Sequence, residues 1–176
     1  MLKDLSIEQF LDELKSEAAI PGGGGAAALC SAQGTALLMM VANLTVKKPK
    51  YEKWHPVCKK ALAEGDVILE ELVACIDDDA EAFRKVISKD VTDEDLFAAT
   101  EIPLSIMRLS KDAMALAENL KGNSNPNLES DLLIAIDCLR TGFKAAKYNV
   151  DANLPQLTDV DAVRLDKIKN EVSDLV

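Results

Sequence analysis

The sequence predicts an all-α protein, a bundle of about five to six helices with long central members, and three observations carry that expectation. Hydrophobic residues fill 48% of the 176 positions and aromatics only 4%, so the core must be built from Ala, Leu, Ile, Val and Met, which suit closely packed helices. Apolar residues recur at three- and four-residue intervals, with almost no strand-like alternation. Capping signals stand in front of the periodic stretches.

Ser6 with Gln9 three residues on is a capping box, and Ile7, Phe10, Leu11 and Leu14 follow at helical spacing, which predicts a first helix from about Ser6 to Glu17. A second begins at the glycines and runs from about Gly24 to Val46. The basic hinge "VKKPKYEKWHP" closes it, because Pro49 and Pro56 do not fit a helix interior. The third is long, about Pro56 to Ser88. Thr92 followed by "DED" reads as a cap with first-turn acids, and Pro103 is expected to start or kink the long helix that ends near Lys121. The loop "GNSNPN" precedes a fifth helix opened by Ser130 and Asp131 and ending about Asn153. Thr158, with Asp159 and Asp161, opens a short C-terminal one. With no repeat, low-complexity tract or linker, residues 1–176 are expected to form one domain.

Charge narrows the function. A formal charge of -10 and a pI near 4.6 repel phosphate backbones and anionic lipid, so neither nucleic acid nor a membrane is expected as a partner. A small substrate or a protein fits better. Cys30, Cys58, Cys75 and Cys138 lack CxxC spacing, which reads as reduced core thiols. The charged, amphipathic start "MLKDLSIEQFLDELK" is not a signal peptide, and a cytoplasmic location is expected.

Four glycines follow Pro21. A phosphate-binding P-loop would need G-x-x-x-x-G-K-[ST] after a strand, and a dinucleotide fold needs βαβ units; the chain has neither. Two readings stay open: a turn that permits close backbone approach, and a helix start whose free N–H groups accept a carboxylate or carbonyl. From Ala26 to Leu44 the following helix carries no charge. A membrane span is its first rival, opposed by Gln33, Asn43 and the acidic remainder. The alternative is a central helix buried on all sides, part of it by a second subunit, so a homodimer is expected.

Three aspartates in "ELVACIDDDAEAFRKV" break helix propensity. Asp79 shares an apolar stripe with Leu72, Cys75, Ile76, Ala82, Phe83 and Val86, whereas Asp77 and Asp78 sit among surface-like neighbours. A carboxylate on a buried stripe beside two others has its pKa raised, which makes Asp79 the general acid/base candidate; a solvated acidic face is the alternative. In residues 130–154, Asp131, Ala135, Cys138, Gly142, Asn149 and Asn153 fall roughly on one side of a helix, either as a packing face or to orient a polar ligand. His55, the only histidine, sits in the basic hinge, so no catalytic triad or histidine metal cluster can be assembled, and no metal site is expected.

"PGGGGAAA" at Pro21 to Ala28, "LVACIDDDAEAF" at Leu72 to Phe83 and "SDLLIAIDCLRTGFKAAKYNVDANL" at Ser130 to Leu154 together resemble the cyclodeaminase/cyclohydrolase family. That family includes the C-terminal domain of formiminotransferase-cyclodeaminase and free-standing methenyltetrahydrofolate cyclohydrolases. The resemblance spans nearly the whole chain in the same motif order. It implies an all-helical dimer acting on one-carbon tetrahydrofolates, with its site in a groove near the subunit contact. The family's catalytic aspartate, in its D-x-x-A-F pattern, falls on Asp79. Two positions depart: Gly25 stands where serine is usual, and Glu129 where many members have a basic residue.

The implied reactions suit these residues. Hydrolysis of 5,10-methenyltetrahydrofolate to 10-formyltetrahydrofolate, or cyclodeamination of 5-formiminotetrahydrofolate with loss of ammonia, can run on one carboxyl acting as base and then acid, without a redox or metal cofactor. Gly22, Gly23 and Gly24 offer backbone donors, Asp131 and Asn149 offer polar groups, and Lys47 or Lys48 offers a cation for the folate carboxylates. A chain of this size is expected to carry no formiminotransferase domain, which favours the cyclohydrolase reading. A helical dimer that binds folate or scaffolds partners without turnover is the remaining alternative.

Overall fold

A computed structural model describes residues 1–157 and 162–176. Its helices are α1 (Ile7–Leu14), α2 (Gly23–Val46), α3 (His55–Val86), α4 (Asp93–Leu120), α5 (Glu129–Asn153) and α6 (Ala162–Leu175), and no strand occurs among the described residues. A 3-10 turn at Leu2–Asp4 precedes α1, and 3-10 segments at Pro49–Trp54, Pro126–Leu128 and Leu154–Leu157 follow α2, α4 and α5. The all-α expectation holds.

Local chemistry sets the helix starts. Ser6 and Gln9 form the expected capping box, although α1 stops three residues earlier than its periodicity suggests. Thr92 accepts the Asp95 N–H while Asp95 reaches back to the Thr92 N–H. From that cap α4 runs unbroken through Pro103, so the proline does not begin a new helix. A proline removes one N–H and leaves the carbonyl four residues earlier without its helical donor. Here that carbonyl belongs to Ala99, and Asn153 Nδ2 donates to it at 2.9 Å. Helix α5 begins one residue before Ser130 and has no side-chain cap. The expected cap at Thr158, Asp159 and Asp161 lies outside the described residues.

Helices α2, α3, α4 and α5 form a ring in which each packs on the next, α5 closes on α2, and α2 and α4 face each other across the diagonal with slighter contact. Short connections make neighbours antiparallel. The starts of α2 and α4 therefore share one end of the bundle with the finishes of α3 and α5. Small residues permit the α2–α5 approach: a Cβ on Gly34 would lie 2.7 Å from the Ala135 carbonyl oxygen, and one on Gly142 would lie 2.0 Å from Ser31 Oγ. Ser31 and Ser110 hydroxyls meet at 2.7 Å on the buried diagonal. Helix α6 is held to α4 by the paired contact of Arg108 with Glu171 and by Lys111 Nζ, which donates to the carbonyls of Asp174 and Leu175.

Helix α2 sits at a corner of the ring, so one protomer encloses it only in part. The helix is long and apolar enough to cross a membrane by length and composition, yet 56% of its most apolar window is buried inside the bundle. A stripe through Gln33, Ala36, Met40, Asn43 and Leu44 stays exposed. Four helices in a ring leave every member an outward face.

Candidate active site

At the end where α2 begins and α3 finishes lies a cavity of about 300 Å³, lined by Gly22, Gly23, Gly24, Asp79, Phe83 and Asn149, with Ala99 and Asn153 on its α4–α5 side. Glycine 22 is the cap of α2 and supplies no side chain, so the first-turn N–H groups face outward without a competing local acceptor. The chain reaches this cap through a cis peptide bond between Ile20 and Pro21.

Asp79 is set into this mouth. Its Oδ2 accepts the Gly25 N–H at 3.0 Å, and a Cβ on Gly24 would fall 1.9 Å from its Oδ1, so only glycine leaves room for the carboxylate. Burial pushes the Asp79 pKa up, and the Gly25 hydrogen bond opposes the shift without cancelling it. It is the sole ionisable residue in the lining among the described residues. A carboxyl whose pKa is raised by burial is the more readily protonated, and can both take up and return a proton. Phe83, one turn further along α3, gives the cavity an aromatic wall and is 40% exposed.

The other sequence candidates divide by their height along the bundle. Gly22, Gly23, Gly24 and Asn149 join Asp79, with Asn149 Oδ1 placed 3.5 Å from where a Gly23 Cβ would lie. Asp131 shares a helix with Asn149 but stands five turns away, roughly 27 Å at the usual rise per residue, at the opposite end. Lys47 caps the far terminus of α2 and borders the exposed stripe beside Met40 and Leu44. Neither reaches the cavity within one protomer. His55 opens α3 at that same far end, its Nε2 3.3 Å from the Lys48 carbonyl oxygen.

Asp78 is exposed, as expected, but Asp77 is not a surface residue. It is half-buried: Oδ1 accepts the Leu2 N–H at 2.6 Å, while Oδ2 is buried with no partner among the described residues. The N-terminal 3-10 turn covers this side of α3, a contact across 75 residues that helical periodicity does not report. All four cysteines are free, and burial together with nearby carboxylates raises the Cys75 thiol to about 11. No cluster of three or more His, Cys, Asp or Glu suited to a metal occurs among the described residues. Sequence reasoning left Gly25 without a role; its N–H is the one that holds Asp79.

Residues 6–174 match the formiminotransferase-cyclodeaminase family. Methenyltetrahydrofolate cyclohydrolase from Methylorubrum extorquens is 37% identical over 169 residues, covering 88% of this chain and 81% of that protein. Formimidoyltransferase-cyclodeaminase from Rattus norvegicus is 27% identical across 99% of this chain, which spans only 35% of that protein's length. The crystal structure of formiminotetrahydrofolate cyclodeaminase from Thermotoga maritima superposes with a TM-score of 0.92 at 29% identity, covering 99% of this chain and 90% of that one.

Proposed function

The chain belongs to the formiminotransferase-cyclodeaminase family, and from that membership we propose that it hydrolyses 5,10-methenyltetrahydrofolate to 10-formyltetrahydrofolate. The observation that carries the reading is Asp79, a carboxyl with a raised pKa, fixed by the Gly25 N–H in a cavity with no other ionisable side chain among the described residues. The methenyl carbon sits in a positively charged N5–CH–N10 amidinium, already electrophilic, so no metal or redox group is needed to activate it. The Asp79 carboxylate takes a proton from water as its oxygen bonds to that carbon. The protonated carboxyl then returns the proton to N5 as the C–N5 bond breaks. Loss of the hydroxyl proton to solvent leaves the formyl group on N10, and the sum is one water consumed and one proton released. Phe83 offers a face for the pteridine, and the Gly23 and Gly24 N–H groups with Asn149 orient its polar edge.

Cyclodeamination of 5-formiminotetrahydrofolate is the second reading, favoured by the close superposition on the Thermotoga maritima cyclodeaminase. There N10 attacks the formimino carbon, Asp79 takes the N10 proton and passes it to the departing nitrogen, and ammonia leaves. Hydrolysis is preferred because the cyclohydrolase relative is more similar in sequence and is matched over most of its length. Loss of methenyltetrahydrofolate absorbance on adding protein tests the first reading, and ammonia released from 5-formiminotetrahydrofolate tests the second. Folded protein active in neither assay would leave only a folate-binding or scaffold role. The exposed α2 stripe supports a homodimer, since it carries Ala36, Met40 and Leu44 and no charge. A cytoplasmic location fits a folate substrate and free thiols.

A further inference from the structure

We propose that the opposite end of the bundle carries a second small-molecule site, built for a neutral planar heterocycle with a 2-amino-4-oxopyrimidine edge, the edge shared by pterins and guanine. A cavity of about 190 Å³ lies there, bordered by Trp54, Ser124, Asn125, Pro126, Glu129 and Leu132. It is roughly 30 Å along α2 from Asp79. The inference rests on this cavity alone and not on the reaction proposed at Asp79.

Asn125 is the anchor. It is 2% exposed, its main-chain N–H donates to Thr45 Oγ1 at 2.9 Å, and its Oδ1 accepts the Tyr51 hydroxyl at 2.9 Å and the Asn127 N–H at 3.2 Å. A backbone N–H can only donate, so the side-chain atom facing Asn127 is fixed as oxygen and the amide NH2 is the free end. That NH2 has no acceptor among the described residues, and neither does the hydroxyl of neighbouring Ser124, which is 6% exposed. Neither atom is sealed from solvent, and both residues line the cavity, so an acceptor entering it replaces water at two adjacent donors.

Charge selects the ligand. Lys121 is engaged by Glu118 at 2.6 Å, whereas the Glu129 carboxylate makes no ion pair among the described residues. Lys121 also lines the cavity but is held by Glu118, so the unpaired charge there is that of the exposed Glu129, which disfavours a carboxylate or phosphate against a neutral group. A neutral ring whose carbonyl accepts from Asn125 while its N–H and amino groups donate to Glu129 satisfies both sides. Trp54 is stacked on Tyr51 at 5.3 Å and covered by Lys53 Nζ at 4.5 Å, so the indole edge, with Pro126 and Leu132, supplies the apolar wall. The volume suits one fused ring and is below that of sites for larger ligands.

Trp54 is the only tryptophan, so its emission reports on this cavity and not on the one at Asp79. The full chain is titrated with pterin, with guanosine and with lumazine, which replaces the 2-amino group by oxygen, after inner-filter correction. Saturable quenching by pterin, by guanosine or by both is expected and identifies the source of the edge, and lumazine should bind about tenfold more weakly. Asn125→Asp keeps both accepted hydrogen bonds and removes the donor; it should weaken binding about tenfold or more with the helical circular dichroism unchanged. Glu129→Gln, at an exposed position, carries the same test if the buried substitution impairs folding. No saturable quenching by pterin or guanosine at millimolar concentration, or equal affinity in the wild type and Glu129→Gln, would overturn the proposal.

Discussion

Gly24 and Asp79 occupy space that a single added methyl would contest: a Cβ at Gly24 would lie 1.9 Å from Asp79 Oδ1 and 2.3 Å from its Cγ. Gly24→Ala must therefore displace the carboxylate or the first turn of α2. A displacement near 1 Å at the reacting group is enough to cost about a hundredfold in rate. We expect kcat for methenyltetrahydrofolate hydrolysis to fall by about that factor while circular dichroism stays helical. Gly25→Ser is the contrast, because the nearest atoms to its Cβ are the Ile76 carbonyl oxygen at 3.7 Å and Pro21 Cβ at 3.9 Å. Its N–H still reaches Asp79, so activity should stay within about threefold of wild type, and the loss of a helical glycine should stabilise the fold by up to about 1 kcal/mol in urea unfolding.

Asp79→Asn separates catalysis from stability. Turnover should fall by about a hundredfold or more, since the amide cannot take a proton from water. Stability should move the other way. Burial raises the Asp79 pKa in the folded state, so the folded protein binds this proton more tightly than the unfolded chain does. The stability it gives is full below the ordinary aspartate range, around pH 3.9, and is lost as pH rises through the elevated folded value. Asn is neutral throughout. The variant should therefore melt above wild type at pH 7, and the gap should close as the pH approaches the ordinary range. A melting temperature at pH 7 equal to or below that of wild type would argue against a desolvated carboxylate at this position.

The exposed stripe on α2 makes the proposed dimer testable. Met40 and Leu44 are 37% and 36% exposed on a helix that carries no charge between Gly23 and Val46. Replacing both by Asp should leave the bundle intact, because neither side chain is in its core, and should shift the mass by light scattering from dimer to monomer. A wild-type mass of one chain across the micromolar range would remove the dimer.

Signals close together in the chain were legible in the sequence. The capping boxes at Ser6 and Thr92 were readable because each is complete within four residues, and Asp79 stood out because one helical stripe defines its neighbours. Contacts between distant segments were not. Gly25 meets Asp79 across 54 residues and Leu2 meets Asp77 across 75, and no local pattern encodes either. Periodicity reports the face of a helix but not the height on it. Asp131 and Asn149 therefore looked equivalent, although α5 carries only Asn149 to the cavity.

Pro103 misled for a related reason, and its true role can be measured. Its missing N–H frees the Ala99 carbonyl, which Asn153 satisfies at 2.9 Å on the wall of the cavity. Asn153→Ala alone leaves that carbonyl without a protein donor and should cost about 1–2 kcal/mol. Pro103→Ala restores the helical donor, at the expense of the packing that the buried ring provides. In the double variant the Ala99 carbonyl is satisfied from within α4, so the loss of Asn153 should matter less. The cycle should show a coupling of about 1 kcal/mol in urea unfolding, with the packing loss cancelling between its arms. Additive losses would mean that Asn153 acts through some contact other than Ala99. If the coupling is present, the proline that interrupts the hydrogen-bond ladder of α4 is also what fixes the end of α5, and with it the Asn149 side of the cavity.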